Sequence, residues 1–118
     1  MNRDNILNIF ARLTQLDPDE VMPYSFLCDS ARRYVASHIK EGADVSGYSG
    51  GMEFAAAALA FYRFLLWGLC GDSNIRIGEV QLEFSEREIL KSAQQLCREA
   101  FDDLHDILIT DDFVFERI

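Results

Sequence analysis

Histidine and proline are nearly missing from this chain, two of each in 118 residues, and acids outnumber basic residues by 20 to 11. With so few histidines, metal chemistry loses its usual ligand: neither His38 nor His105 has a second ligand at the spacing of a structural metal site. Asp102 lies three residues before His105, as ligand pairs do in helical di-iron proteins, but such sites require two copies of that spacing plus carboxylates on two other helices. The shortage of Lys and Arg leaves a formal net charge of −9. That charge opposes an exposed nucleic-acid surface, which needs cations in excess along one face, and it repels an anionic membrane. Cysteine occurs three times, at Cys28, Cys70 and Cys97, with no C-x-x-C pair. All three fall inside apolar helical patterns and read as reduced core residues of a cytosolic protein. The opening Met1 to Asn5 is polar and the apolar positions after it are periodic, so no secretory signal is predicted. Nucleophilic catalysis also finds no support, since no Ser or Cys has a neighbouring base signature. The expectation is a protein that is not an enzyme and carries no cofactor.

What is abundant is apolar. Hydrophobic residues make up 49% and charged residues 26% of the chain, ordinary values for a folded domain, and the length suits one domain spanning 1–118. The most concentrated stretch is Met52 to Cys70, in which only Glu53 and Arg63 carry charge. A helix that is apolar all round must be buried. Its length approaches a membrane span, but Arg63 near the middle would cost about 2.5–3.5 kcal/mol on insertion and basic anchors do not flank it. A buried core helix is the reading, with Ala55 to Ala58 and Ala60 permitting close helix approach while Phe54, Phe61, Phe64, Leu65 and Trp67 supply bulk. Arg63 then needs an acidic partner or a route to solvent.

The flanking segments complete a mainly α architecture, a small four-helix domain around that central helix. Ile6, Leu7, Ile9, Phe10, Leu13 and Leu16 recur at helical spacing and predict a first helix over about Asp4 to Gln15. Asp17-Pro18-Asp19-Glu20 supplies a cap, a proline for the first helical position and a glutamate three residues after the cap. Pro23 leaves two readings open, one continuous helix or a short turn followed by a second start. Beyond it, Tyr24, Leu27, Cys28, Ala31, Tyr34, Val35, His38 and Ile39 form a stripe ending near Lys40. Glu41 to Gly51 holds four of the seven glycines and reads as a loop; it lacks the Gly-Lys-Ser/Thr ending of a phosphate cradle. Ser85-Glu86-Arg87-Glu88 is a capping box that opens the last helix, with a buried stripe continuing through about Ile109. From Arg98 to Arg117 seven acids face two arginines, a solubilising surface or one that meets a basic partner.

Only Ile75 to Phe84 carries a β pattern. Its alternation flips phase across Gly78-Glu79, which suits a two-residue hairpin with Ile75, Ile77, Val80 and Leu82 on one face, or a single strand bulged at Gly78. An isolated hairpin is marginal, so this segment is expected to lie on the helical core or to pair with another chain. The candidate interface therefore comprises Ile75, Ile77, Val80, Leu82 and Phe84, together with Phe113 and Phe115 of the tail, which can dock by their rings.

The order of these parts resembles the small head-tail connector proteins of tailed bacteriophages and prophages. The likeness spans about Asn5 to Ile118 and rests on architecture and on local patterns, Ala31-Arg32-Arg33-Tyr34-Val35, Ala57 to Leu65 and Gly78 to Ser85; none of them is a diagnostic motif. It implies a non-catalytic adaptor subunit that forms a homo-oligomeric ring and meets portal and tail components, in the bacterial cytoplasm or the virion. The three cysteines and the long glycine loop depart from the family pattern. A different class fits the residues as well, a small acidic helical module that binds a basic protein partner in a regulatory role.

Overall fold

The computed structural model describes residues 1–71 and 86–109, all helices, turns and loops with no named strand among them. The predicted β segment Ile75 to Phe84 and the tail phenylalanines Phe113 and Phe115 lie outside the described residues. Within them, α1 spans Arg3–Thr14, α2 Pro18–Val21, α3 Ser25–Ser37, α4 Ser49–Gly71 and α5 Glu86–Asp102, with a 3-10 turn over Met22–Tyr24 between α2 and α3.

Asn2 starts α1 by placing its side-chain oxygen 2.8 Å from the Asp4 N–H and 3.3 Å from the Asn5 N–H, two groups that have no partner inside the helix. The helix stops at Gln15, which takes the left-handed conformation (φ 61°), a geometry that disfavours side chains other than Gly and Asn. At the next start the Glu20 carboxylate accepts from the Asp17 N–H at 3.0 Å, the return half of the predicted cap. Pro23 resolves in favour of the interrupted reading. It sits in the 3-10 turn, and α3 begins two residues later.

The central helix is α4, and α1, α3 and α5 each pack along it. Ala55, Ala56, Ala57, Ala58 and Ala60 are fully buried, and the room they leave lets α1, α3 and α5 approach while Leu59, Tyr62, Phe64 and Leu65 fill the space between them. Phe10 of α1 and Tyr24 of the 3-10 turn both meet the Phe64 ring edge-on, with centroids 5.7 Å and 5.0 Å away, the arrangement favoured by the ring quadrupoles. Among the described residues no helix is long and apolar enough to cross a membrane.

Two boundaries differ from the sequence expectation. The helix α4 begins at Ser49, so Gly50 and Gly51 belong to its first turn and only residues 40–48 remain as loop. Gly51 suits the position because a Cβ there would stand 3.0 Å from Leu104 Cδ2. At the far end of the chain, α5 stops at Asp102 instead of continuing to Ile109. The N–H groups of Leu104 and His105 bond the carbonyls three residues back, which tightens the chain into turns. Those turns bring Leu108 opposite Ile39 in an antiparallel bridge. Leu104, Ile107 and Leu108 still reach the core, which is why their spacing mimics a longer helix.

Candidate protein-interaction surface

The α3 sequence places Phe26, Ser30, Tyr34 and His38 four residues apart, and side chains at that spacing share one face of a helix. Contacts follow the stripe along its length. Phe26 meets Trp67 of α4 edge-on at 5.8 Å. Ser30 Oγ accepts from Arg63 Nη1 at 3.3 Å, and the Arg63 guanidinium carbon lies 5.5 Å from the centre of the Tyr34 ring. Tyr34 stacks on the His38 ring at 4.1 Å and receives the edge of Phe101 from α5 at 6.0 Å. The stripe thus runs beside Arg63 and Trp67 of α4 and, at Tyr34, reaches Phe101 of α5.

Arg63 answers the requirement for a partner in an unexpected way. Among the described residues no carboxylate pairs with it; a hydroxyl and an aromatic face hold it instead, a cation–π arrangement that costs less desolvation than burying a second charge. Burial lowers its pKa, with the electrostatic influence of Tyr34 and Cys97 opposing that effect.

Trp67 corrects a second expectation. It is 51% exposed, as is Phe26, because the last turns of α4 lie level with the start of α3 and nothing described there covers the outer face of the indole. Tyr24 supports the indole from below, edge-on at 5.8 Å, and Met22 on the same turn is 56% exposed. Large apolar groups grouped at a surface in this way mark contact sites, and tryptophan is enriched among the residues that dominate binding energy. Sequence periodicity did not single out Phe26, which falls off the buried stripe of α3. The i, i+4 run Phe26, Ser30, Tyr34, His38 was the available signal.

No protein-family model, curated protein or solved structure matches this chain.

The remaining chemistry-bearing side chains are held by neighbours. Cys28 and Cys97 are buried free thiols, and burial pushes both up to about 12. His38 Nδ1 lies 2.8 Å from the Tyr34 carbonyl oxygen and His105 Nδ1 2.9 Å from that of Asp102. Glu53, only 6% exposed, accepts from the Asn2 N–H at 2.6 Å and from the Asn5 side-chain amide at 3.2 Å. It thus fastens the start of α1 to α4. Among the described residues no group of three or more His, Cys, Asp or Glu side chains is placed to hold a metal ion.

Proposed function

We propose that this chain is a structural adaptor subunit of the kind found in phage and prophage head-tail connectors, forming a ring between portal and tail. The observation that carries the reading is the exposed aromatic surface of Phe26 and Trp67, at the end of a helix whose core is otherwise closed. Four residues after Trp67 comes Gly71, where α4 ends, and the sequence then enters Ile75 to Phe84. In this reading that segment of one copy meets the next copy by strand addition, with Phe113 and Phe115 adding aromatic area. A head-to-tail contact of this kind closes into a ring when its rotation permits. The net charge of −9 supports the role, since a negative surface does not grip passing DNA.

A second reading has its own observation. Glu99, Asp102, Asp103 and Asp106 are all exposed on α5 and the turns that follow, a surface suited to a basic protein partner. Sedimentation velocity and negative-stain microscopy across a concentration series separate the two. Rings that vanish when Val80 and Leu82 are both replaced by Asp, with helicity retained, support the adaptor. A strict monomer both alone and with a portal assembly, together with binding to a basic protein, refutes it.

A further inference from the structure

We infer that copies of this chain associate head to tail in solution through two surfaces at opposite ends of the helical body: the Phe26, Arg33 and Trp67 end of one copy receives the Asp102, Asp103, Asp106 and Ile109 end of the next. The inference rests on the self-association in the proposed function and is independent of the strand addition invoked there.

Placement is the first support. Phe26 and Trp67 meet where the first turn of α3 lies beside the last turns of α4. At the other end, a Cβ on Gly51, in the first turn of α4, would stand 3.0 Å from Leu104 Cδ2, and Ile39, just past α3, bridges Leu108. The 13 positions from Phe26 to Ile39 and the 16 from Gly51 to Trp67 correspond to about 20 and about 24 Å along their helices. No side chain spans that gap, so neither surface can cover the other within one copy. A contact between them joins different regions of two copies, which makes it heterologous and leaves one surface of each copy open to a further copy.

Complementarity is the second. Among the described residues the large apolar side chains left well exposed are Met22, Phe26 and Trp67 at one end and Ile109 at the other. Arg33 comes seven residues after Phe26, two turns along the same face of α3. It is exposed and enters no ion pair among the described residues. Arg63, bonded to Ser30 one turn before Arg33, has none there either. Asp29, the only acid in α3, is already held by Arg3 at 2.8 Å. The far end inverts this pattern. Asp102, Asp103 and Asp106 are exposed in the seven residues before Ile109, while Leu104, Ile107 and Leu108 are buried. The cation at that end, Lys40, directs its ammonium to the His105 carbonyl at 2.9 Å.

A second copy therefore supplies both halves of the contact at once, an apolar side chain for the aromatic end and carboxylates for the guanidinium groups. Opposite potentials at the two ends favour head-to-tail pairing and oppose pairing of like ends. The net charge of −9 acts at longer range and is screened beyond about 8 Å at physiological salt.

The test uses the full-length chain, with association followed by sedimentation velocity over a concentration series and by emission of Trp67, the only tryptophan. Arg33→Glu reverses one surface and Asp102→Lys/Asp103→Lys the other; all three residues are exposed, and circular dichroism checks that helicity is kept. The unaltered chain is expected to associate as its concentration rises, with Trp67 emission moving to the blue. Each variant alone is expected to associate at least about tenfold more weakly, because like charges then face each other. An equimolar mixture of the two is expected to recover association, since every altered surface then finds its complement on the other variant and every unaltered surface does too. The combined chain Arg33→Glu/Asp102→Lys/Asp103→Lys should recover for the same reason. Variants that associate as well as the unaltered chain, or a mixture that does not recover, would overturn the inference. So would normal association of Asp102→Lys/Asp103→Lys alone, which points to aromatic ends paired with each other, or a chain that stays monomeric at every concentration. Val80→Asp/Leu82→Asp separates the two contacts. Assembly lost in that variant but kept in both charge variants leaves strand addition standing and removes this contact; the converse result keeps this contact and removes strand addition.

Discussion

Tyr62 offers the sharpest test of how this core is balanced. The residue is 1% exposed, and its hydroxyl oxygen is buried without a hydrogen-bond partner among the described residues. A buried hydroxyl with no acceptor or donor forfeits about 1–3 kcal/mol of lost hydration. Removing only that oxygen, in Tyr62→Phe, abolishes the penalty and leaves a void smaller than a methyl group, worth about 0.5–1 kcal/mol. The net expectation is a gain of up to about 2.5 kcal/mol, centred on about 1 kcal/mol, against the general run of core substitutions, which destabilise. For a domain of this size that central value is a rise in Tm of about 2–8 °C, readable by calorimetry or circular dichroism. Tyr62→Ala, which deletes the ring as well, should lose about 3–5 kcal/mol. A pH arm sharpens the comparison. Burial raises the Tyr62 pKa above its ordinary value, an effect reinforced by Cys97 and opposed by Arg98. The folded state therefore holds the phenolic proton more tightly than the unfolded state does, and this contributes stability that is fully present below the unfolded value near about 10. That contribution is lost as pH rises through the folded value. The advantage of Tyr62→Phe is thus flat below about pH 10 and grows above it. A variant that loses 1 kcal/mol or more at pH 7 would refute the reasoning and show that the hydroxyl is bonded, for example to a buried water.

The other expectations concern the fastening of α1 and the state of the thiols. Glu53→Ala should cost about 2–4 kcal/mol, because it strands the Asn2 N–H and the Asn5 amide that the carboxylate now receives; a urea midpoint that does not move would remove Glu53 from the list of structural residues. Glu53→Gln, which keeps an acceptor oxygen, should cost less. Cys28 and Cys97, with thiol values of about 12, are almost wholly protonated at pH 8 and enclosed. Site-mapped alkylation should label them only after unfolding in urea, and rapid labelling of the native protein would contradict their burial.

Much of the helical body was legible because one-sided burial writes a period into the chain. Ile6 and Phe10, or Leu27, Cys28, Ala31 and Val35, are spaced by the helix that buries them, and the all-apolar run around Ala55 to Ala60 could only be interior. Pro18 and Glu20 marked a start by local chemistry alone. The misreadings share a cause: local pattern says nothing about what lies alongside. Leu104, Ile107 and Leu108 keep helical spacing while the backbone turns, since i to i+3 turns present nearly the same face. Trp67 looked interior by composition, yet burial at that end of α4 depends on how far α3 extends beside it. Arg63 drew its stabilisation from a tyrosine ring and a serine on another helix, a pairing that no spacing rule within α4 announces. Gln15 adopts a left-handed conformation that its residue type does not advertise. The aromatic surface was visible only in part: His38 and Tyr34 were assigned to the stripe of α3, whereas Phe26 and Ser30 acquire meaning from α4.

The unbroken run of α4 from Ser49 to Gly71 makes it the ruler from which both ends of the molecule take their alignment. One residue inserted ahead of Ala60 would rotate everything downstream by about 100°, swinging Arg63 toward the interior and Phe64 away from Phe10, with no loop inside the element to absorb the error. Changes of length in this lineage are therefore expected to accumulate elsewhere. The connection around Gly42 and Gly47 is the natural place, since no heavy atom lies within 4 Å of a Cβ built at either glycine, and an engineered tag or label inserted there should leave the alignment of α4 untouched.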